Sequence, residues 1–359
     1  MSIRWRPMRP KDVRPCVEII ASHPIVGPRY AGLISDLRSA WLHYLSSDEF
    51  QGCVFEDVNG ASTRLLGAGI RAFVSDDFVR EIKTPPLFWV GPVLAKRVAQ
   101  GDSPLLSARE VREANSSGGL NLLFWEACMR YEDSHRLDLL RENGDAIITN
   151  HRGFLIKEWI MQASSPEVLQ VMVYAGGCSV IQGDGRYAPV DLAEVPELFA
   201  RPHVIGLTRE LGLTKMGSWA SNLFVYAAPR FDLRPSEQKL LLAALRGSAD
   251  EELADELGVS RSAVKKAWSS IYERVAACDP NLLPHVSPDG DNGTARGKAK
   301  RHRLLPYLRE HPEELRPVSR RLLRSAAVRD YRHSTQLAGG VQIRDLRPKE
   351  VSTADQGEP

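Results

Sequence analysis

Between Leu233 and Val275 the apolar residues fall at a helical spacing broken twice by glycine, and this stretch constrains the fold more tightly than any other. Pro235 suits the first position of a helix running to about Arg246, with Leu240, Leu241 and Leu245 on one face, and Gly247 ends it. Ser248 and Glu251 have the spacing of a capping box for a second helix burying Leu253, Ala254 and Leu257. Gly258 stops that helix, and Val259 is expected to plug the corner. Ser260 caps a third helix, in which Val264, Ala267, Trp268, Ile271 and Val275 form one apolar seam.

A helix turns by about 100° per residue, which puts Ser262, Lys265, Lys266 and Ser269 opposite that seam, with Arg261 in the first turn. Cations meet phosphates and hydroxyls meet base edges or phosphates, so a helix of this kind suits a DNA major groove. The expected contacts with double-stranded DNA are Ser260, Arg261, Ser262, Lys265, Lys266 and Ser269. One such unit buries little surface, so a homodimer on two half-sites about one helical turn apart is expected.

The run resembles the LuxR-type DNA-binding domain, ungapped from Leu233 to Val275. The matching residues are Leu233, Pro235, Glu237, Gly247, Glu252-Leu253-Ala254, Leu257, Val259-Ser260, Val264-Lys265 and Ser270-Ile271-Tyr272. Arg234 stands where the family carries a Thr cap, Ala249 where it carries Ser, and Trp268 where Leu is common. Sigma-factor region 4 is similar over the same residues. The resemblance implies a transcriptional regulator that binds DNA, with RNA polymerase as a further partner.

The chain has 359 residues and 43% hydrophobic content, enough for two domains. Its net charge is only +2, so affinity for DNA must come from a local basic patch. Five cysteines, scattered and without metal-ligand spacing, read as reduced, mostly buried thiols of a cytoplasmic protein, and no metal or cofactor is expected. The Arg-rich start lacks an apolar signal core, and no apolar run is long enough to span a membrane.

Residues 1–228 mix strand and helix patterns, as expected of an α/β or α+β domain. Ile3–Met8 alternates like a strand, Asp12 opens a helix through Val13, Val17 and Ile20, and a second helix is expected from Tyr30 to Leu45. Residues 53–58 and 64–74 read as a hairpin, and 87–90 as a further buried strand. The run 121–129 fits strand or helix. Residues 137–141, 154–160 and 166–174 read as helical, 192–199 and 204–211 as apolar runs, and 223–227 as a last strand. This opening order, with Arg6-Pro-Met-Arg-Pro-Lys-Asp12 leading into the first helix, is similar to a GNAT-type acyltransferase domain. The resemblance implies acyl-CoA as cofactor, but the glycine loop that holds its pyrophosphate in that family has no counterpart after Trp89. A sensing or interaction domain with room for a small apolar ligand is therefore expected, and an acyl-CoA-dependent transferase is the alternative.

Other chemistry is not supported. Asp76-Asp77 lacks the downstream partners of a phosphoacceptor, and Trp41 with Tyr44 reads as core. The histidines are dispersed, and His151-Arg152 reads as a satisfied surface turn. After a hinge at 229–232 and the three helices to residue 283, residues 284–295 read as a flexible linker. The segment 296–333 carries twelve Lys and Arg residues against four carboxylates, on two short helices separated by Pro306, Pro312 and Pro317. Arg301, Arg303, Arg320 and Arg321 there are expected to supply accessory phosphate contacts. Residues 334–359 lack apolar periodicity and are expected to be disordered.

Overall fold

The computed structural model describes residues 2–45, 51–59, 62–176, 179–181, 184–191, 193, 200–215, 217–283 and 293–323. Its first part is a mixed eight-stranded sheet with strand order β1-β2-β3-β4-β5-β8-β6-β7. The strands are β1 (Ser2–Pro7), β2 (Gln51–Asn59), β3 (Ser62–Val74), β4 (Leu120–Met129), β5 (Ile156–Met161), β6 (Ser179–Ile181), β7 (Tyr187–Pro189) and β8 (Ile205–Thr208). The pairs of neighbouring strands are antiparallel except β4 and β5, which run parallel from Leu120 opposite Ile156 to Phe124 opposite Met161.

Helices cover both faces. α1 (Pro10–Ser22), α2 (Ile34–Tyr44), α3 (Asp76–Lys83) and α4 (Val90–Ala99) pack Val17, Trp41, Phe78 and Leu94 on one side, against Val54, Leu123 and Ile160. On the other side α5 (Ala108–Asn115), α6 (Leu137–His151) and α7 (Pro166–Gly176) bring Val111, Ile147 and Leu169 against Phe73, Phe124 and Trp159. The short α8 (Arg209–Thr214) follows β8. The start of this part is anchored by a buried ion cluster. Arg6 lies 2.6 Å from Asp12 and 2.8 Å from Glu56, and the Asp12 carboxylate also accepts the Arg9 N–H at 2.8 Å.

Burial on both faces explains one departure from expectation and decides one reading left open. Residues 156–161 are a central strand rather than a helix: every side chain except Lys157 is buried, Glu158 included, so the strand shows no apolar–polar alternation. Residues 121–129 resolve as strand for the same reason. Residues 87–90 are not a strand: Val90 opens α4, and Pro92 in its first turn has no N–H to give a sheet ladder. Residues 220–224 form a 3-10 turn, so the final strand expected at 223–227 is absent. The second helix begins only at Ile34, since Gly27–Tyr30 is a separate 3-10 turn. Gly185, at φ +79°, lies between the antiparallel strands β6 and β7. The residues 192 and 194–199, Cys178 and the tail 334–359 lie outside the described residues. Cys16, Cys53 and Cys128 are buried free thiols, while Cys278 is exposed. Among the described residues no helix is long and apolar enough to cross a membrane, and no cluster of metal-ligating side chains occurs.

Beyond residue 230 the described residues are mainly helical. α9 (Pro235–Leu245), α10 (Asp250–Leu257) and α11 (Arg261–Cys278) share one core with α12 (Gly293–Glu310). Two helical runs occur in the basic segment, as expected, the second starting at Arg320 among the described residues. The departure is that the first, α12, continues through Pro306, which sits on the exposed side where water can meet the carbonyl left without a donor. Leu304 and Leu308, one turn apart and fully buried, close the core of the three helices, and Leu315 follows them in. Residues 284–292 of the expected linker lie outside the described residues, and Gly293 already belongs to α12.

Residues 310–319 then run as a strap between the two parts. The Glu314 carboxylate accepts the N–H groups of Arg230 at 2.8 Å and Phe231 at 2.9 Å. Gln238 of α9 donates to the carbonyls of Glu314 and Arg316, at 3.1 and 2.9 Å. The buried Arg316 guanidinium donates to the carbonyls of Arg152 and Thr149 and lies 4.7 Å over the Phe154 ring. Asn115 reaches the Pro317 carbonyl at 3.0 Å, and Ser319 N–H donates to Ser116 Oγ at 2.6 Å. The turn after α6 is thus a docking point for the strap. At Gly153, with φ +87°, a Cβ would stand 2.5 Å from the Glu313 nitrogen.

Candidate nucleic-acid interface

The side chains singled out on α11 are positioned by how α9, α10 and α11 are capped and packed. Ser260 Oγ accepts the Ala263 N–H at 3.2 Å, which fixes the start of α11 as expected. Gly258 at φ +63° ends α10 in the left-handed conformation that glycine adopts without strain. The start of α10 is displaced by one residue from the expected capping box. Ala249 is the capping residue, and its N–H donates to Glu252 at 2.8 Å, so the Ser248–Glu251 pairing does not form. An alanine offers no acceptor, leaving only half of the reciprocal arrangement. The same half-box opens α9, where Arg234 N–H donates to Glu237 at 2.7 Å.

Val264, Trp268, Ile271 and Val275 are buried and Ala267 half-buried, as the periodicity required. Val259 is the exception: it is 43% exposed and does not plug the corner. The register of α11 against α9 is locked by a polar group that periodicity alone does not identify. Glu237, almost fully buried, accepts Ser270 Oγ at 2.7 Å and lies 3.2 Å from Arg274 Nε. Arg274 also donates to the Asp232 carbonyl at 3.1 Å. Asp232 has φ +54°, a left-handed conformation that aspartate tolerates better than most residues, and it turns the chain into the three helices.

Opposite the seam, Ser260, Arg261, Ser262, Lys265, Lys266 and Ser269 are all exposed. The sheet does not cover them. Arg261 lies 3.1 Å from Glu251, an exposed pair whose small stability contribution lets the guanidinium exchange its partner. Ser269 Oγ donates to the Lys265 carbonyl at 3.3 Å.

The N-terminal half of α12 lies beside α11. Tyr272 donates to the Gly297 carbonyl at 3.2 Å, and Lys300 Nζ is 5.4 Å from the Tyr272 ring. Burial pushes the Tyr272 phenol up, so it keeps the proton it donates. Arg301 stacks 4.1 Å over Trp268 and pairs with Asp250 at 2.8 Å. A groove of about 400 Å³ runs between the two helices, with Lys265, Ser269, Lys298 and Arg301 on its walls and Asp250 at one side.

The four expected accessory cations divide. Arg303 and Arg321 are exposed. Arg301 is held by Asp250 and Trp268, and Arg320 is bound to the carboxylate and carbonyl of Asp232. Both of these hold the fold together, and Lys298, not singled out from the sequence, takes a position beside Lys265 in their place. Its proximity was hidden because it depends on α12 folding back across α11.

The sheet part holds a second polar feature. Tyr30 donates to Glu126 at 2.9 Å, and burial raises the Glu126 carboxyl while that hydrogen bond and Arg29 pull it back. Beyond β4, Tyr131–Asp133 forms a 3-10 turn whose Glu132 and Asp133 pair with Arg64. No protein-family model, curated protein or solved structure matches the chain.

Proposed function

We propose that the chain is a DNA-binding transcriptional regulator in which α11 enters the major groove and the sheet part serves as a sensing or interaction module. The observation that carries this reading is the exposed face of α11. Ser262, Lys265, Lys266 and Ser269 face outward, while Val264, Trp268, Ile271 and Val275 are buried behind them. An isolated solvated helix would not need a buried Glu237–Ser270–Arg274 lock to fix its rotation. Lys298 on the neighbouring α12 adds a cation at the groove edge, where a phosphate backbone flanking the recognition helix would run. Binding as a homodimer to paired half-sites remains part of this proposal, since one unit presents few base-reading side chains.

The acyl-CoA-dependent alternative gains no support from the segment after β4. A pyrophosphate there would face the carboxylates of Glu132 and Asp133 rather than a row of free backbone N–H groups.

The test is fluorescence anisotropy of the full chain with duplex DNA across a salt series, comparing wild type with Lys265→Ala/Lys266→Ala. Each lysine that meets a phosphate contributes about one unit to the slope of log affinity against log salt. The double variant is expected to lose about two units and to weaken binding on all sequences. Unchanged affinity and slope would refute the assignment.

A further inference from the structure

Between the sheet part and the three helices lies a cavity of about 160 Å³. Its walls come from both sides: Phe73, Val111, Arg112 and Phe154 from the sheet part, and Pro235, Gln238, Lys239 and Leu242 from α9. Leu315, Arg316 and Pro317 of the strap close it. The volume is close to the roughly 150 Å³ of an apolar cavity that accommodates benzene.

Two guanidinium groups, those of Arg112 and Arg316, line the cavity, and no carboxylate does. Arg316 is only 7% exposed, yet its hydrogen bonds go to two backbone carbonyls through Nε and Nη2, and Nη1 forms none among the described residues. Neither Arg112 nor Arg316 lies within ion-pair distance of a carboxylate among the described residues. Desolvation pulls the Arg316 guanidinium down to about 10, against the weaker opposing field of Glu313. A buried cation whose hydrogen bonds all go to neutral carbonyls is costly, and an anion would relieve that cost. Apart from Gln238 and Lys239 the rest of the wall is apolar, with the Phe73 and Phe154 rings 5.0 Å apart.

We propose that this cavity binds a small organic carboxylate with a flat or branched apolar body, its carboxylate directed to Arg316 and Arg112 and its body against Phe73, Phe154 and Leu242. Such a ligand would touch the sheet part, the strap and α9 together. It would bind only while these are docked, so it stabilises one orientation of the three helices relative to the sheet. The binding claim does not depend on the DNA-binding reading, and the two can fail separately.

The probe is 4-fluorobenzoate, followed by fluorine NMR with the full chain, and 4-fluorobenzamide is its uncharged counterpart. Saturable line broadening is expected for the acid, and binding of the amide about tenfold or more weaker. Leu242→Trp, which fills the cavity from its half-exposed edge, and Arg112→Gln, at its rim, are each expected to weaken the acid by about tenfold. Circular dichroism and a thermal midpoint establish that each variant is folded. The proposal is overturned if the acid shows no saturable effect up to about 10 mM, if acid and amide bind alike, or if folded Leu242→Trp binds as wild type does.

Discussion

Glu314 holds the strap to the hinge, and its removal gives the sharpest measure of how the two parts are joined. Its carboxylate, 1% exposed, accepts N–H groups at 2.8 Å from Arg230 and 2.9 Å from Phe231. In Glu314→Ala both donors lose their acceptor. The Phe231 N–H is buried and has no route to water, so it costs about 1–3 kcal/mol; Arg230 is exposed, and its N–H recovers part of its loss by hydration. The expected destabilisation is about 2–4 kcal/mol. Glu314→Gln keeps an acceptor oxygen and should cost less than half as much. Burial raises the Glu314 carboxyl above the ordinary carboxylate range, with the Phe231 and Arg230 amides opposing it. A raised carboxyl contributes stability that is complete below the unfolded pKa and is lost as pH rises through the folded pKa. Glutamine, which does not titrate, lacks that loss, so its deficit against wild type should narrow as pH rises through that point. Urea denaturation across a pH series measures the free energies, and hydrogen exchange at residues 230 and 231 reports the donors directly. An Ala variant within about 0.5 kcal/mol of wild type, or a Gln variant as damaging as Ala, would refute this account.

Two further outcomes follow from the caps and the ion cluster. Ala249→Ser supplies the acceptor missing at the start of α10 and should stabilise the chain by about 1 kcal/mol in the same denaturation assay; a neutral or negative effect would place the α10 start elsewhere. Asp12→Asn should cost about 2–3 kcal/mol at neutral pH, because it loses charge-assisted bonds from Arg6 and the Arg9 amide. Burial alone would raise the Asp12 carboxyl, but these partners outweigh it and hold it below its ordinary value. The stability it contributes is present above the unfolded pKa and lost as pH falls through the folded one. Wild type and Asp12→Asn should therefore converge in acid, and parallel pH profiles would exclude the pair as the cause.

What could be read in the sequence follows from how each element meets solvent. α9, α10 and α11 each hide one face, so Leu240, Leu241, Leu253, Val264 and Trp268 announced their period, and Gly247 and Gly258 punctuated it. Residues 156–161 hide both faces, and Ile156, Trp159, Ile160 and Met161 show neither a helical nor an alternating signature. The box at Ser248–Glu251 was misplaced because three successive acids, Asp250, Glu251 and Glu252, offer alternative registers, and only packing of Leu253 and Ala254 selects one. The exposed face of α11 was legible, but its neighbour was not. Arg301 looked like a phosphate ligand because nothing local reveals that Asp250 and Trp268 lie against it. The strap was equally hidden: Glu314 meets Phe231 and Arg316 meets Arg152 across long stretches of chain, and such pairings leave no periodic trace.

The same strap has a consequence for the order in which the molecule can mature. During synthesis α9, α10 and α11 emerge from the ribosome before Leu304, Leu308 and Leu315, so they wait with an uncovered apolar side until later codons are translated. The sheet part can fold while this happens, but its relation to the helices cannot be fixed until Arg316 and Ser319 arrive at the turns they bind. A ribosome stalled between these two events would display a chain whose halves are each largely built and not yet aligned.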